Sequence, residues 1–213
     1  MRRIFVLIRA MLRFRPVLLA LLAIAVAADF AWHFYAGEPE SAIRARDIRR
    51  APALQAGDIV LCGRIGASGN VMRLAAKSPW THAALAAGGD SAALLAPVKV
   101  SGSLKVCITR MAVRDFAQRC EAFGVARIGN CGEKCLDAAR RAAGMEGTKS
   151  DISLGAAGFG TFSGADFLAE CFELSASKLS VSEDGSPRPV LPEDILEALG
   201  AAIIFSVGNA QNP

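Results

Sequence analysis

Thr81-His82-Ala83-Ala84-Leu85-Ala86-Ala87 runs into Gly88-Gly89-Asp90 and out again through Ala92-Ala93-Leu94-Leu95-Ala96. Two short apolar runs joined by a glycine-rich turn predict a β-hairpin, because glycine supplies the turn backbone that other residues resist. Upstream, Gly57-Asp58 punctuates the entry to Ile59-Val60-Leu61-Cys62, which reads as a buried strand. A glycine-containing connection, 63–70, leads to a short helix over residues 71–76. Downstream, Lys105–Thr109 and Gly124–Ile128 add strands, with a helix over Val113–Ala122 between them. Glu133–Ala143 is predicted helical and ends at Gly144. A Gly/Ser-rich loop, 147–164, precedes a helix over 169–179. Leu191-Pro192-Glu193-Asp194 opens a last helix, and Ala201–Val207 is a final strand. Strands gathered first and helices later predict an α+β domain, an antiparallel sheet with packed helices.

The chain has 213 residues and a formal charge of +4. Residues 1–50 carry nine arginines and four acids, which leaves fifteen basic and sixteen acidic residues beyond them. The basicity therefore belongs to the N-terminal region, and the domain is near neutral. No basic stripe with interleaved aromatics is present, so nucleic acid is not expected as a partner.

Arg2, Arg3, Arg9, Arg13 and Arg15 precede an uncharged run from Pro16 to Ala28. Basic residues ahead of an apolar run hold that end in the cytoplasm and place the chain beyond the run outside. A cleaved signal peptide fits the small residues Ala25-Val26-Ala27. An uncleaved hydrophobic helix fits a span from Pro16 to Tyr35, with Trp32, Phe34 and Tyr35 as an outer aromatic belt. A buried soluble helix is the third reading, and five arginines before the run oppose it. The expected organisation is a signal anchor or signal peptide over 1–36, a charged linker over 37–53, and one domain over 54–213. That places the domain on the inner membrane facing the periplasm or cell exterior, or free in the periplasm if the signal is cleaved.

The six cysteines are Cys62, Cys107, Cys120, Cys131, Cys135 and Cys171. An oxidising compartment permits disulfides, although a domain of this size does not need them. Cys131 and Cys135 invite a zinc reading, but zinc needs two further ligands and the domain has one histidine, His82, and no second close cysteine pair. A disulfide involving this segment, or plain buried thiols, is expected instead; no metal and no cofactor are expected.

His82 is the only histidine beyond the apolar N-terminus, so any Cys-His chemistry passes through it. Its expected partner is Cys171, in Leu168-Ala169-Glu170-Cys171-Phe172-Glu173-Leu174, at a predicted helix start where the helix dipole and a nearby imidazolium both lower a thiol pKa. Taken singly, Cys171 reads equally as a small buried apolar residue and His82 as a satisfied core histidine.

Four motifs occur in order: Leu54-Gln-Ala-Gly-Asp-Ile-Val-Leu61, Ser78-Pro-Trp-Thr-His-Ala-Ala-Leu85, Ala169-Glu-Cys-Phe-Glu-Leu174 and Leu191-Pro-Glu-Asp-Ile-Leu196. Together they resemble the permuted papain-like amidases and cysteine peptidases, the YiiX-type branch of the NlpC superfamily. The resemblance spans 54–198. It implies a circularly permuted papain-like core in which the histidine strand precedes the cysteine helix, with Cys171 as nucleophile and His82 as its base. Such enzymes attack an amide or ester carbonyl and pass through a thioester acyl-enzyme.

Three departures stand against that pattern. Phe172 replaces the serine that usually follows the cysteine, although Glu173 and Leu174 remain. Ser150-Asp151 stands where the family has Tyr-Asp. Leu95 stands where a glutamate usually orients the imidazole, and its side chain is expected on the same side of the sheet as His82. Asp90 and Glu173 are the carboxylates left as possible orienting or supporting groups. The expected function is a cell-envelope thiol hydrolase acting on a peptide, lipid or other small envelope molecule and held to the membrane by its N-terminal helix. The alternatives are a degenerate relative that binds an envelope ligand without turnover and a purely structural envelope protein.

Overall fold

The computed structural model describes residues 43, 45–64, 73, 78–88, 93–100, 105–151, 164–175, 179 and 190–208, with 23–24 and 27–28 helical. The expected N-terminal hydrophobic helix falls mainly outside the described residues. So do most of the helix over 71–76, Asp90 and most of the Gly/Ser-rich loop. Among the described residues no helix is long and apolar enough to cross a membrane.

Seven strands form one sheet: β1 (Ile59–Arg64), β2 (His82–Ala86), β3 (Ala93–Lys99), β4 (Lys105–Ala112), β5 (Cys120–Ile128), β6 (Lys149–Asp151) and β7 (Ala201–Gly208). Their order across the sheet is β6-β4-β3-β2-β1-β5-β7. Every neighbouring pair is antiparallel. Among the described residues five helices with defined bounds accompany them: α1 (Ala45–Ile48), α2 (Val113–Ala117), α3 (Gly132–Gly144), α4 (Gly164–Cys171) and α5 (Pro192–Leu199). The molecule is α+β, as its strand and helix order predicts.

The sheet has a core on each face. One joins Ile59, Leu61, Ala83, Leu85 and Leu95 to residues of α3, α4 and α5, including Ala138, Phe167, Leu168, Ile195 and Leu199. The other joins Val60, Cys62, Ala84, Ala86, Leu94 and Phe123 to Phe116 and Ala117 of α2. Because alternate residues of a strand point to opposite faces, β2 is split between them, and all five of its residues are buried. Ile48 of α1, Ala51 and Leu54 also pack on the second core, so the later part of the expected linker lies against the domain.

Three elements depart from expectation, the first being β6, Lys149–Asp151, which pairs with β4 at the start of the stretch expected to be a loop. The helix predicted to Ala122 ends at Ala117, and β5 begins at Cys120. Tertiary pairing overrides local propensity here: Cys120 pairs with Arg64 across a register shift and is disulfide-bonded to Cys62. The helix predicted over 169–179 lies instead at Gly164–Cys171. It stops in a Schellman motif: Leu174 N–H donates to the Ala169 carbonyl at 2.8 Å and Glu173 N–H to the Glu170 carbonyl at 3.2 Å, with Glu173 left-handed at φ 55°.

A second disulfide joins Cys131 and Cys135. In the chain-entropy account a bridge stabilises more when it closes a longer loop. With a sequence separation of 58, Cys62–Cys120 contributes about 4 kcal/mol. Cys131–Cys135, with a separation of 4, contributes about 2 kcal/mol.

Asp58, 2% exposed, ties the entry to β1. It accepts from Gln55 N–H at 2.7 Å and takes a two-point contact from Arg127 of β5, Nε at 2.8 Å and Nη2 at 2.7 Å. A planar guanidinium matches a carboxylate in this way, which is why the buried charge is tolerated.

Candidate functional site

His82 opens β2 opposite Cys62 of β1. Its alternation partners Ala84 and Ala86 face the α2 side, and its ring accompanies them: it stacks on Phe116 of α2 with centroids 5.8 Å apart and planes inclined by 27°. The imidazole is largely buried, 9% exposed.

Cys171 belongs to the opposite core, with Ala83, Leu85 and Leu95. It is the last residue of α4 rather than the first, a correction to the expected helix start. The difference is chemical, because the C-terminal end of a helix presents carbonyl oxygens and disfavours an anion. The side chain is fully buried. Burial pushes the thiol up from the ordinary 9.0 to about 12, with the Glu170 charge adding to the shift and Arg141 opposing it. The structure therefore does not bring His82 and Cys171 together; the sheet lies between their side chains.

The remaining expected groups also fall elsewhere. Leu95 pairs with Leu85 and shares its face, so it stands across the sheet from His82 and does not occupy an orienting position beside the imidazole. Glu173 lies on the surface in an ion pair with Arg141 of α3 at 2.7 Å. Arg141 also donates to the Cys171 carbonyl at 3.0 Å, so this pair fastens the end of α4 to α3. Asp90 lies outside the described residues.

The helix start that does meet the histidine strand is that of α4, at Gly164. A Cβ there would run into the backbone N, C and O of Ala83, the residue after His82. Only glycine permits this approach, so the helix start packed against the residue after His82 carries no nucleophilic side chain at that position. The sequence does contain this signal: Ser163-Gly164-Ala165-Asp166 is a helix-opening pattern, which the attraction of Cys171 obscures.

A polar contact that sequence reasoning missed joins two of the four motifs. The Ser78 hydroxyl lies against the Glu193 Oε1 carboxyl oxygen, at the start of α5, and accepts from Trp80 N–H at 2.9 Å. Glu193 Oε2 is buried without a hydrogen-bond partner among the described residues. Burial raises the Glu193 carboxyl above its usual range, with Asp194 adding and the Ser78 bond opposing. Ser78-Pro-Trp and Leu191-Pro-Glu-Asp are thus brought together as a structural clasp beneath the start of β2. Among the described residues no group of three or more His, Cys, Asp or Glu side chains is arranged to hold a metal ion.

No family profile and no curated protein sequence matches the chain. A solved structure, that of the metalloprotein yiiX from Escherichia coli O157:H7, is similar at 13% identity with a TM-score of 0.47. That similarity covers 72% of this chain and 98% of the other.

Proposed function

We propose that this domain is a papain-like relative that does not turn over substrate through a Cys-His pair, and that it binds an envelope peptide, lipid or small molecule outside the cytoplasm. The observation that carries the reading is the separation of His82 and Cys171 onto opposite faces of β2. A general base must stand within hydrogen-bond reach of the proton it removes, and a ring stacked on Phe116 across the sheet does not. The raised Cys171 thiol and the bare helix start at Gly164 support the same reading. The four ordered motifs support papain-like ancestry, and the arginine-rich apolar N-terminus supports a tether that keeps the domain at the inner membrane.

The same motifs favour a second reading, a thiol hydrolase, in which Cys171 and His82 meet on one face. The two are separated by offering the full chain a peptidoglycan stem peptide and a phospholipid ester, then searching for an acyl adduct by mass spectrometry. The expected result is no adduct on Cys171 and no hydrolysis that depends on His82, with retention on peptidoglycan or vesicles unchanged in Cys171→Ala. A thioester on Cys171 that disappears in His82→Ala overturns the non-catalytic reading.

A further inference from the structure

The two disulfides differ in where they sit and in what opening them would disturb. Cys62–Cys120 is buried at both ends, 1% and 0% exposed, and cross-links the central strands β1 and β5. Cys131–Cys135 spans one turn at the start of α3, with Cα atoms 5.4 Å apart. Cys131 is half-buried and is the N-cap residue, whereas Cys135 lies inside, its sulfur 4.0 Å from the Gly57 carbonyl oxygen. Cys131 is thus the more accessible residue of the pair and Cys135 the more buried.

We propose that Cys131–Cys135 is a thiol-exchange site that accepts two electrons from a dithiol, and that Cys62–Cys120 is a permanent cross-link. Three observations carry this beyond the position of a helix end. No side chain caps the first turn of α3, so its leading N–H groups have no side-chain acceptor. A disulfide sulfur is a weak acceptor, but the thiolate released at Cys131 is a strong one in the same place, and the helix dipole favours it. Cys131 is also flanked by two left-handed residues, Asn130 at φ 53° and Gly132 at φ 48°. Asparagine and glycine are the residues that adopt this conformation most readily, so the turn into α3 can form with the bridge open. Finally, α3 does not need the bridge to stay helical, because its first turn is closed independently by Lys134 N–H donating to the Cys131 carbonyl at 3.1 Å.

Atoms and electrons balance in two steps. A thiolate of the incoming dithiol attacks Cys131 Sγ, forming a mixed disulfide and expelling the Cys135 thiolate, which takes up a proton. The second thiol of the dithiol, deprotonated, attacks the donor's own sulfur in that mixed disulfide and releases the Cys131 thiolate. The dithiol leaves as a disulfide, and the protein gains two electrons. The change is transmitted locally: Cys135 packs against Gly57, whose N–H donates to the Ala86 carbonyl at 3.0 Å, while Ala86 N–H donates to the Asp58 carbonyl at 2.8 Å. The redox state of α3 is therefore felt at the paired ends of β1 and β2.

The test uses the full chain in graded mixtures of reduced and oxidised dithiothreitol, with free thiols trapped by an alkylating reagent and located by mass spectrometry. The expected result is that Cys131 and Cys135 become trapped at a reduced-to-oxidised ratio at least tenfold lower than Cys62 and Cys120. In Cys135→Ser, oxidised glutathione should form a mixed disulfide at Cys131 faster than in Cys131→Ser at Cys135. Opening of both bridges together, opening of neither without denaturant, or preferential glutathione capture at Cys135 overturns the proposal. The redox titration needs no variant, so misfolding of a substituted chain does not shelter the idea.

Discussion

If Cys171 is a core residue rather than a nucleophile, its alkylation rate is set by burial and not by His82. The thiol is pushed up from 9.0 to about 12, which lowers the thiolate fraction near neutral pH about a thousandfold. A more basic thiolate is intrinsically more nucleophilic, and with a Brønsted slope of about 0.4–0.5 that recovers roughly 15- to 30-fold. The net expectation is alkylation about 30- to 60-fold slower than an ordinary thiol from ionisation alone, and slower again because the side chain is fully buried. The assay follows iodoacetamide incorporation at Cys171 in the native chain across a pH series, with an unstructured cysteine peptide as reference. His82→Ala should leave the Cys171 rate unchanged within about twofold, since the two side chains face opposite sides of the sheet. A Cys171 midpoint at or below about 8.5, slowed by His82→Ala, would refute the reasoning and restore the dyad.

Asp58→Ala should cost about 3 kcal/mol in urea unfolding, because it leaves Arg127 without its two-point partner and Gln55 N–H without its acceptor. Arg127→Ala should cost a comparable amount by stranding Asp58. Gly164→Ala should destabilise by about 2 kcal/mol or more, because the added carbon meets backbone atoms of Ala83 that cannot rotate away. The Glu193 carboxyl is raised on folding, so its contribution is complete below the ordinary carboxylate range and is lost as pH rises through the raised value. Glu193→Gln keeps a partner for Ser78 and should flatten that decline, read as urea midpoints over a pH series.

Much of the sheet is legible because short apolar runs bounded by glycine can hardly be anything but strands: Ile59–Cys62, the His82–Ala86 hairpin arm and Ala201–Val207 all fall where expected. Which side His82 faces is not legible, and the reason is physical. A strand with one face in water alternates polar with apolar, but β2 reads His-Ala-Ala-Leu-Ala and is buried throughout, so period-2 reading has no contrast to use. Motif alignment sets Leu95 beside His82, and only its pairing with Leu85 reveals the opposite face. Cys171 misleads in another way, since a cysteine in an apolar helix looks alike at either end. The decisive signal is the left-handed Glu173 that ends α4, a backbone state that glutamate does not advertise.

The order of strands in the sheet also sets the order in which the domain can assemble. Residues 59–128, one continuous stretch, supply β4-β3-β2-β1-β5, five neighbours already joined edge to edge. The later elements only extend or cover that platform: β6 lengthens one margin, α4 and α5 close over Ala83, Leu85 and Leu95, and β7 completes the other margin. A chain emerging N-terminus first can thus pair its inner strands before its last fifty or so residues arrive, leaving the apolar face beneath α4 bare in the meantime. The vulnerable period for such a chain is the wait for its C-terminal cover. Pulse-labelling hydrogen exchange during refolding should find Ile59–Leu61 and Val125–Ala126 protected before Phe167 and Ile195, and simultaneous protection would rule this sequence of events out.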